Sequence, residues 1–135
     1  MIPNSVIEEK KNGALAILQR VLSDAEAQGM PFIHTDTQTY HFQCRLVDRT
    51  NWSGLRTIAE NQPSMTIVPM RCKENIWLML DRQTALDTLL NIGLYYMSLK
   101  KAETHVKDNL IPSGNYTNEQ QIEQAFNQAL QAILA

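Results

Sequence analysis

The feature that most limits how this chain can fold is the proline-free stretch from Asp81 to about Asn109. Within it Ala85, Leu86, Leu89, Leu90, Leu94, Met97, Val106 and Leu110 recur at helical spacings, and Asp81 offers a side-chain acceptor to the first free amides. The spacing predicts one helix of roughly thirty residues, well beyond the ~8–20 of an ordinary globular helix. Shorter elements must then pack against that spine.

Those shorter elements alternate in type. From Ser5 to Gln28 the residues Ile7, Ala14, Leu15, Leu18, Val21, Leu22 and Ala25 form one helical stripe, which Gly29 and Pro31 end. Pro31 to Asp36 and Thr39 to Leu46, split by Thr37 and Gln38, are rich in β-branched and aromatic residues and read as a hairpin. A period of two puts Tyr40, Phe42, Cys44 and Leu46 on one face and His41, Gln43 and Arg45 on the other. Asp48 is the expected N-cap of a helix over 49–60, with Leu55, Ile58 and Ala59 pointing one way and Trp52 close by. A second hairpin follows, Met65 to Cys72 and Ile76 to Leu80 around a Lys73-Glu74-Asn75 turn. Pro69 cannot donate to a ladder, so its strand lies at an edge or carries a bulge. After the breaker from Ile111 to Asn115, Thr117 and Gln120 read as a capping box opening a last helix striped by Ile122, Ala125, Phe126, Ala129 and Ile133. The order α-β-β-α-β-β-α-α predicts an α+β fold, a small antiparallel sheet from two hairpins covered by helices. Its parts are an N-terminal amphipathic helix (1–29), an α+β core (30–110) and a C-terminal helix (111–135).

At 135 residues and 44% hydrophobic the chain suits one domain with a real core. A net charge of −2 supplies no overall positive field for nucleic acid or anionic lipid. The start lacks the apolar centre of a secretory signal and no run approaches a membrane span, so a cytosolic protein without membrane attachment is expected. In that compartment Cys44 and Cys72 are expected as free thiols.

Few residues suggest chemistry. His41 and Cys44 stand three apart, which on a strand sends them to opposite faces, and His105 is isolated, so no metal site is expected. Cys44 alternates with core aromatics and behaves as a small hydrophobe. Asp48 and Asp81 are explained by capping, and the five separated glycines form no phosphate cradle. No catalytic residue and no cofactor is therefore expected. Arg45, Arg49, Arg56, Arg71, Lys73 and Arg82 gather around the hairpins with Trp52 and Trp77, a mix that can hold single strands. Interspersed Asp48, Glu60, Glu74 and Asp81 cancel much of that field, so nucleic acid is not the favoured partner.

Three motifs, taken with the charged first helix, carry a resemblance. Tyr40-His41-Phe42-Gln43-Cys44-Arg45 is similar to an aromatic-x-aromatic-Gln-x-Arg strand; Asp48-Arg49 with Trp52 matches an Asp-led helix; and the segment from Arg71 to Asp81 resembles a hairpin whose Asn-containing turn precedes an apolar strand and a capped long helix. Together they resemble an uncharacterised domain family of phage tail, tail-fibre and tail-fibre-assembly proteins, over Ile7 to Leu110. The segment from Ile111 to Ala135 departs from that pattern.

The resemblance implies a phage protein made in the host bacterial cytoplasm and either assisting fibre assembly or staying in the virion tail, and it brings no catalytic mechanism. The expectation is a chaperone-like assembly factor that binds a tail-fibre or tail polypeptide through apolar helical surface. A permanent tail component and a small inhibitor of a host defence protein are the alternatives, and a homo-oligomer is left open. Leu15, Leu18 and Leu22 are the expected apolar contacts; Arg49, Trp52 and Trp77 are the expected anchors, since Arg and Trp are enriched in hot spots.

Overall fold

Asp81 closes a strand and opens a long helix. In the computed structural model, which describes residues 4–35 and 37–135, its carboxylate accepts the Thr84 amide at 3.1 Å and the Thr84 hydroxyl at 2.6 Å. Helix α3 (Arg82–His105) follows, and the helical path continues through a π-helical turn (Val106–Leu110) and one further turn, α4 (Ile111–Ser113). Gly114, at φ 69°, ends it. The stop is this left-handed glycine, two residues after Pro112, which itself lies within the helical path.

The stripe expected on this helix is half right. Ala85, Leu89 and Val106 are buried, but Leu90, Leu94 and Met97 are each about half exposed. The buried line instead runs through Ala85, Thr88, Leu89, Ile92, Leu99, Ala102 and Val106. Two apolar lines about 100° apart share the helix, and periodicity alone does not choose between them.

The elements before α3 are α1 (Asn4–Gln28), β1 (Met30–Ile33), β2 (Thr39–Phe42), α2 (Leu46–Asn61), β3 (Ile67–Arg71) and β4 (Trp77–Asp81); α5 (Glu119–Leu134) ends the chain. This is the expected α+β order, with the strands forming two separate two-stranded antiparallel sheets, β1–β2 and β3–β4. Asp36, expected in the first strand, lies outside the described residues. Among the described residues no helix is long and apolar enough to cross a membrane.

Contacts divide the chain into two compact units, residues 26–96 and residues 1–25 with 97–135. The boundaries fall inside α1 and α3, so the three segments read from the sequence group these residues differently. In the second unit α5 begins at Asn118, whose side chain accepts the Gln121 amide at 3.0 Å while Gln121 accepts the Thr117 amide. The cap thus lies one residue later than the expected Thr117 frame, on a residue type at least as good at this position. Ile122 and Phe126 are buried there, and Lys10 lies over the Tyr116 ring and bonds the Gly114 carbonyl at 3.0 Å.

Unit 26–96 holds both hairpins and α2. Phe42, Cys44, Val68, Met70, Leu78, Leu80, Ala85 and Ile92 form its core. The hairpins pair in simple register, Phe32 opposite Tyr40 and Pro69 opposite Met79, with no bulge at Pro69. Helix α2 starts earlier than expected. Arg45 is its N-cap and Asp48 occupies the third helical position, accepting the Arg45 amide at 3.1 Å and Nε at 2.8 Å. An acceptor three residues in can hold the cap amide as well as an N-cap side chain holds its own helix, so an Asp near a helix start fits either place. Leu46, drawn into that helix, is exposed rather than on the strand's core face, and Ile58 is half exposed.

The last carbonyls of α1 are satisfied by the chain leaving β2: Glu26 accepts the Cys44 amide and Ala27 accepts Gln43 Nε2, each at 2.8 Å. Gly29 makes that approach feasible. Its φ is 83°, and a Cβ there would fall on the Phe42 carbonyl and 2.7 Å from Gln43 Cα. Gly29→Ala is expected to lower stability by at least about 2 kcal/mol, combining left-handed strain with overpacking, in urea unfolding against the parent chain.

Candidate functional site

Alternation along β3 and β4 turns Val68, Met70, Leu78 and Leu80 into the core and leaves Ile67, Pro69, Arg71, Trp77 and Met79 on the outer face. That outer face is apolar to an unusual degree: Ile67 is 48% exposed, Trp77 55% and Met79 59%. Beside it lies a groove of about 620 Å³, walled by Pro69, Arg71 and Trp77 of the hairpin and by Asn51, Trp52 and Leu55 of α2. A volume of that order matches the clefts that take small ligands or a few side chains of a partner.

Charge in the groove is unbalanced. Arg45, Arg71 and Lys73 line it against one carboxylate, Asp48, which the Arg45 guanidinium already holds. Arg71 lies over the Trp77 ring, 5.3 Å from its centroid, and bonds the Asn75 side chain. Lys73 bonds the Gln28 side chain. Among the described residues neither has a carboxylate partner, so both cations are free to meet an acidic group on a ligand.

The turn that carries Lys73 is fixed by its neighbour. Glu74 accepts the His41 amide through Oε1 and the His41 ring Nδ1 through Oε2, both at 2.8 Å, and the Lys73 amide donates to the His41 carbonyl at 2.8 Å. An ionised carboxylate only accepts, so Nδ1 carries the proton here. Burial pushes the Glu74 carboxyl up, but the bonds from His41 outweigh that and hold it at about 2.

The residues singled out from the sequence scatter. Trp52 and Trp77 come together on the groove; Trp52 donates Nε1 to the Gln43 carbonyl at 2.9 Å and meets Phe42 edge-on. Arg49 does not join them, because its guanidinium stacks on Tyr96 at 3.7 Å, with Nε buried and unbonded. Leu18 and Leu22 are buried and present no surface to a partner, while Leu15 is half-buried beside a second groove with Asn12 and Lys107. The basic cluster also divides: Arg56 pairs with Glu60, and Arg82 donates to the Ala59 carbonyl near the end of α2. Arg71, Lys73 and Met79 were not singled out as contacts. Arg71 and Met79 were legible only as the outward positions of an alternating strand.

Burial pushes the Cys44 thiol up to about 11, and both cysteines are free. Among the described residues no group of three His, Cys, Asp or Glu side chains could hold a metal ion. Comparison with protein-family models, with curated proteins and with solved structures finds no match for this chain.

The Glu74 clamp makes a pH test. The carboxyl titrates near 4.5 when free and at about 2 when folded, so its stabilisation is complete above pH 4.5 and is lost as pH falls toward 2. The urea midpoint of the parent chain is expected to fall across that window. Glu74→Gln is expected to start lower at pH 7 and to lose less between pH 5 and pH 3.

Proposed function

We propose that this protein is a non-enzymatic binding module of phage tail-fibre assembly, which holds an apolar, acid-bearing segment of a fibre or tail polypeptide against the outer face of β3–β4. The observation that carries this reading is the exposure of Trp77, Met79 and Ile67 together on one sheet face beside a groove with two unpaired cations. Contiguous apolar surface rimmed by polar groups is what soluble proteins keep where another chain docks. The similarity of the Tyr40–Arg45, Asp48–Trp52 and Arg71–Asp81 segments to phage tail proteins supplies the setting.

An unfinished fibre exposes surface that the completed fibre buries, and such surface aggregates when left open. Covering it in the host cytoplasm until the fibre matures is work for a face of this kind. Trp77 would anchor the contact, with Arg71 and Lys73 reading the partner's carboxylates and Trp52 closing the groove. The contacts sought on helix α1 at Leu18 and Leu22 are replaced by this sheet surface.

Co-expression with a phage tail-fibre polypeptide tests the proposal. Omitting this protein is expected to lower the yield of trimeric fibre, and unchanged yield, solubility and trimer content would sink it. Trp77→Ala is expected to weaken binding to that polypeptide by about 30-fold, the hot-spot scale, with the circular dichroism spectrum unaltered because the ring is more than half exposed.

A further inference from the structure

Among the described residues each hairpin stands alone, so every strand has one edge that no other described strand covers. Parity decides which backbone groups lie there. In hairpin β1–β2 the His34 amide bonds the Gln38 carbonyl, which turns the groups of Phe32 and Tyr40 inward and those of Pro31, Ile33, Thr39 and His41 outward. In hairpin β3–β4 the Cys72–Ile76 and Arg82–Thr66 bonds place Ile67, Pro69 and Arg71 on one outer edge and Trp77, Met79 and Asp81 on the other.

Three of these edges are guarded. Pro31 on β1 and Pro69 at the centre of β3 lack the outward amide a docking strand would need. On β2 the outward amide and carbonyl of His41 are taken by Glu74 and Lys73. On β4, by contrast, the outward groups of Trp77 and Met79 have no hydrogen-bond partner among the described residues.

We infer that the β4 edge pairs antiparallel with the β4 edge of a second copy of this chain, across a two-fold axis at Met79. The outward register is self-complementary: Met79 meets Met79 of the second copy, and Trp77 meets the second copy's Asp81. Amide and carbonyl bond reciprocally at the paired Met79 residues, and each Asp81 amide reaches the opposite Trp77 carbonyl.

Charge selects this occupant. Arg71 and Asp81 each lack an oppositely charged partner among the described residues, and Arg71 already lies across the Trp77 ring. In the paired sheet the row reads Arg71, Trp77, second copy's Asp81. The outer two are about 10 Å apart at Cα, two strand spacings, which an arginine side chain spans. A slip of two residues breaks both charge matches at once. A short edge contact belongs to the small, weak class of interfaces, so association in the micromolar to millimolar range follows. The result is a continuous four-stranded sheet whose outer face carries two copies of the exposed Trp77 and Met79 surface. This inference goes beyond the proposed function and does not rest on it.

Sedimentation equilibrium of the full chain, from about 10 μM to about 1 mM, tests it without any partner present. A concentration-dependent dimer is expected, with growing hydrogen-exchange protection of the Met79 amide. Met79→Pro places a proline directly opposite Pro69, where the lost amide pointed out of the hairpin, and Met79→Lys puts a charge on the axis; both are expected to be monomeric with unchanged circular dichroism. Arg71→Asp is expected to weaken the dimer at least about tenfold. A chain monomeric throughout, a dimer that survives in Met79→Lys, or a β4 edge that takes only a foreign strand would each overturn the assignment. If Met79→Pro fails to fold, Met79→Lys decides.

Discussion

One carboxylate joins the two hairpins. Glu74 grips both the backbone and the ring of His41, and the adjacent Lys73 amide bonds the same residue's carbonyl. The turn of β3–β4 is thereby fixed to the outer edge of β2. Without that attachment Lys73 and Asn75 would be carried on a free hairpin tip and the groove would lose one wall. It also closes an edge that would otherwise be open to another strand. These bonds around His41, made by side chains that stay partly exposed, therefore tie the hairpins together, shape the groove and protect β2.

The surface left by this arrangement is uneven. Polar pairs such as Arg56–Glu60 and Arg45–Asp48 satisfy one another on α2, whereas the outer face of β3–β4 keeps Ile67, Trp77 and Met79 in water. Exposed ion pairs of the first kind contribute little to stability. Exposed apolar side chains of the second kind are where burial by another chain would release the most free energy, roughly 25 cal/mol per Å². That imbalance, rather than any constellation of reactive groups, directs the functional reading proposed for this protein.

Much of this was legible in the residues. Gly29 and Pro31 mark the end of α1, Asp81 marks the junction of β4 and α3, and the Lys73-Glu74-Asn75 turn marks the second hairpin. Errors came where two frames of equal quality overlapped. Thr117 and Asn118 each begin a box ending in Gln, and Leu90, Leu94 and Met97 make a stripe as regular as the buried one through Leu89, Ile92 and Leu99. Leu18 and Leu22 were read as contacts because a stripe announces burial without saying by what.

The sequence by itself determined the kind and order of the elements and that the Pro69 strand lies at an edge or carries a bulge, because spacing, capping and the missing proline amide act over a few residues. Tertiary structure decided which of two stripes is inside, that Trp52 and Trp77 share a groove while Arg49 stacks elsewhere on Tyr96, and that His41 is held by Glu74. Those outcomes depend on side chains 25 to 47 residues apart meeting in space. Local periodicity fixes a residue's direction on its own element and carries no information about what stands opposite.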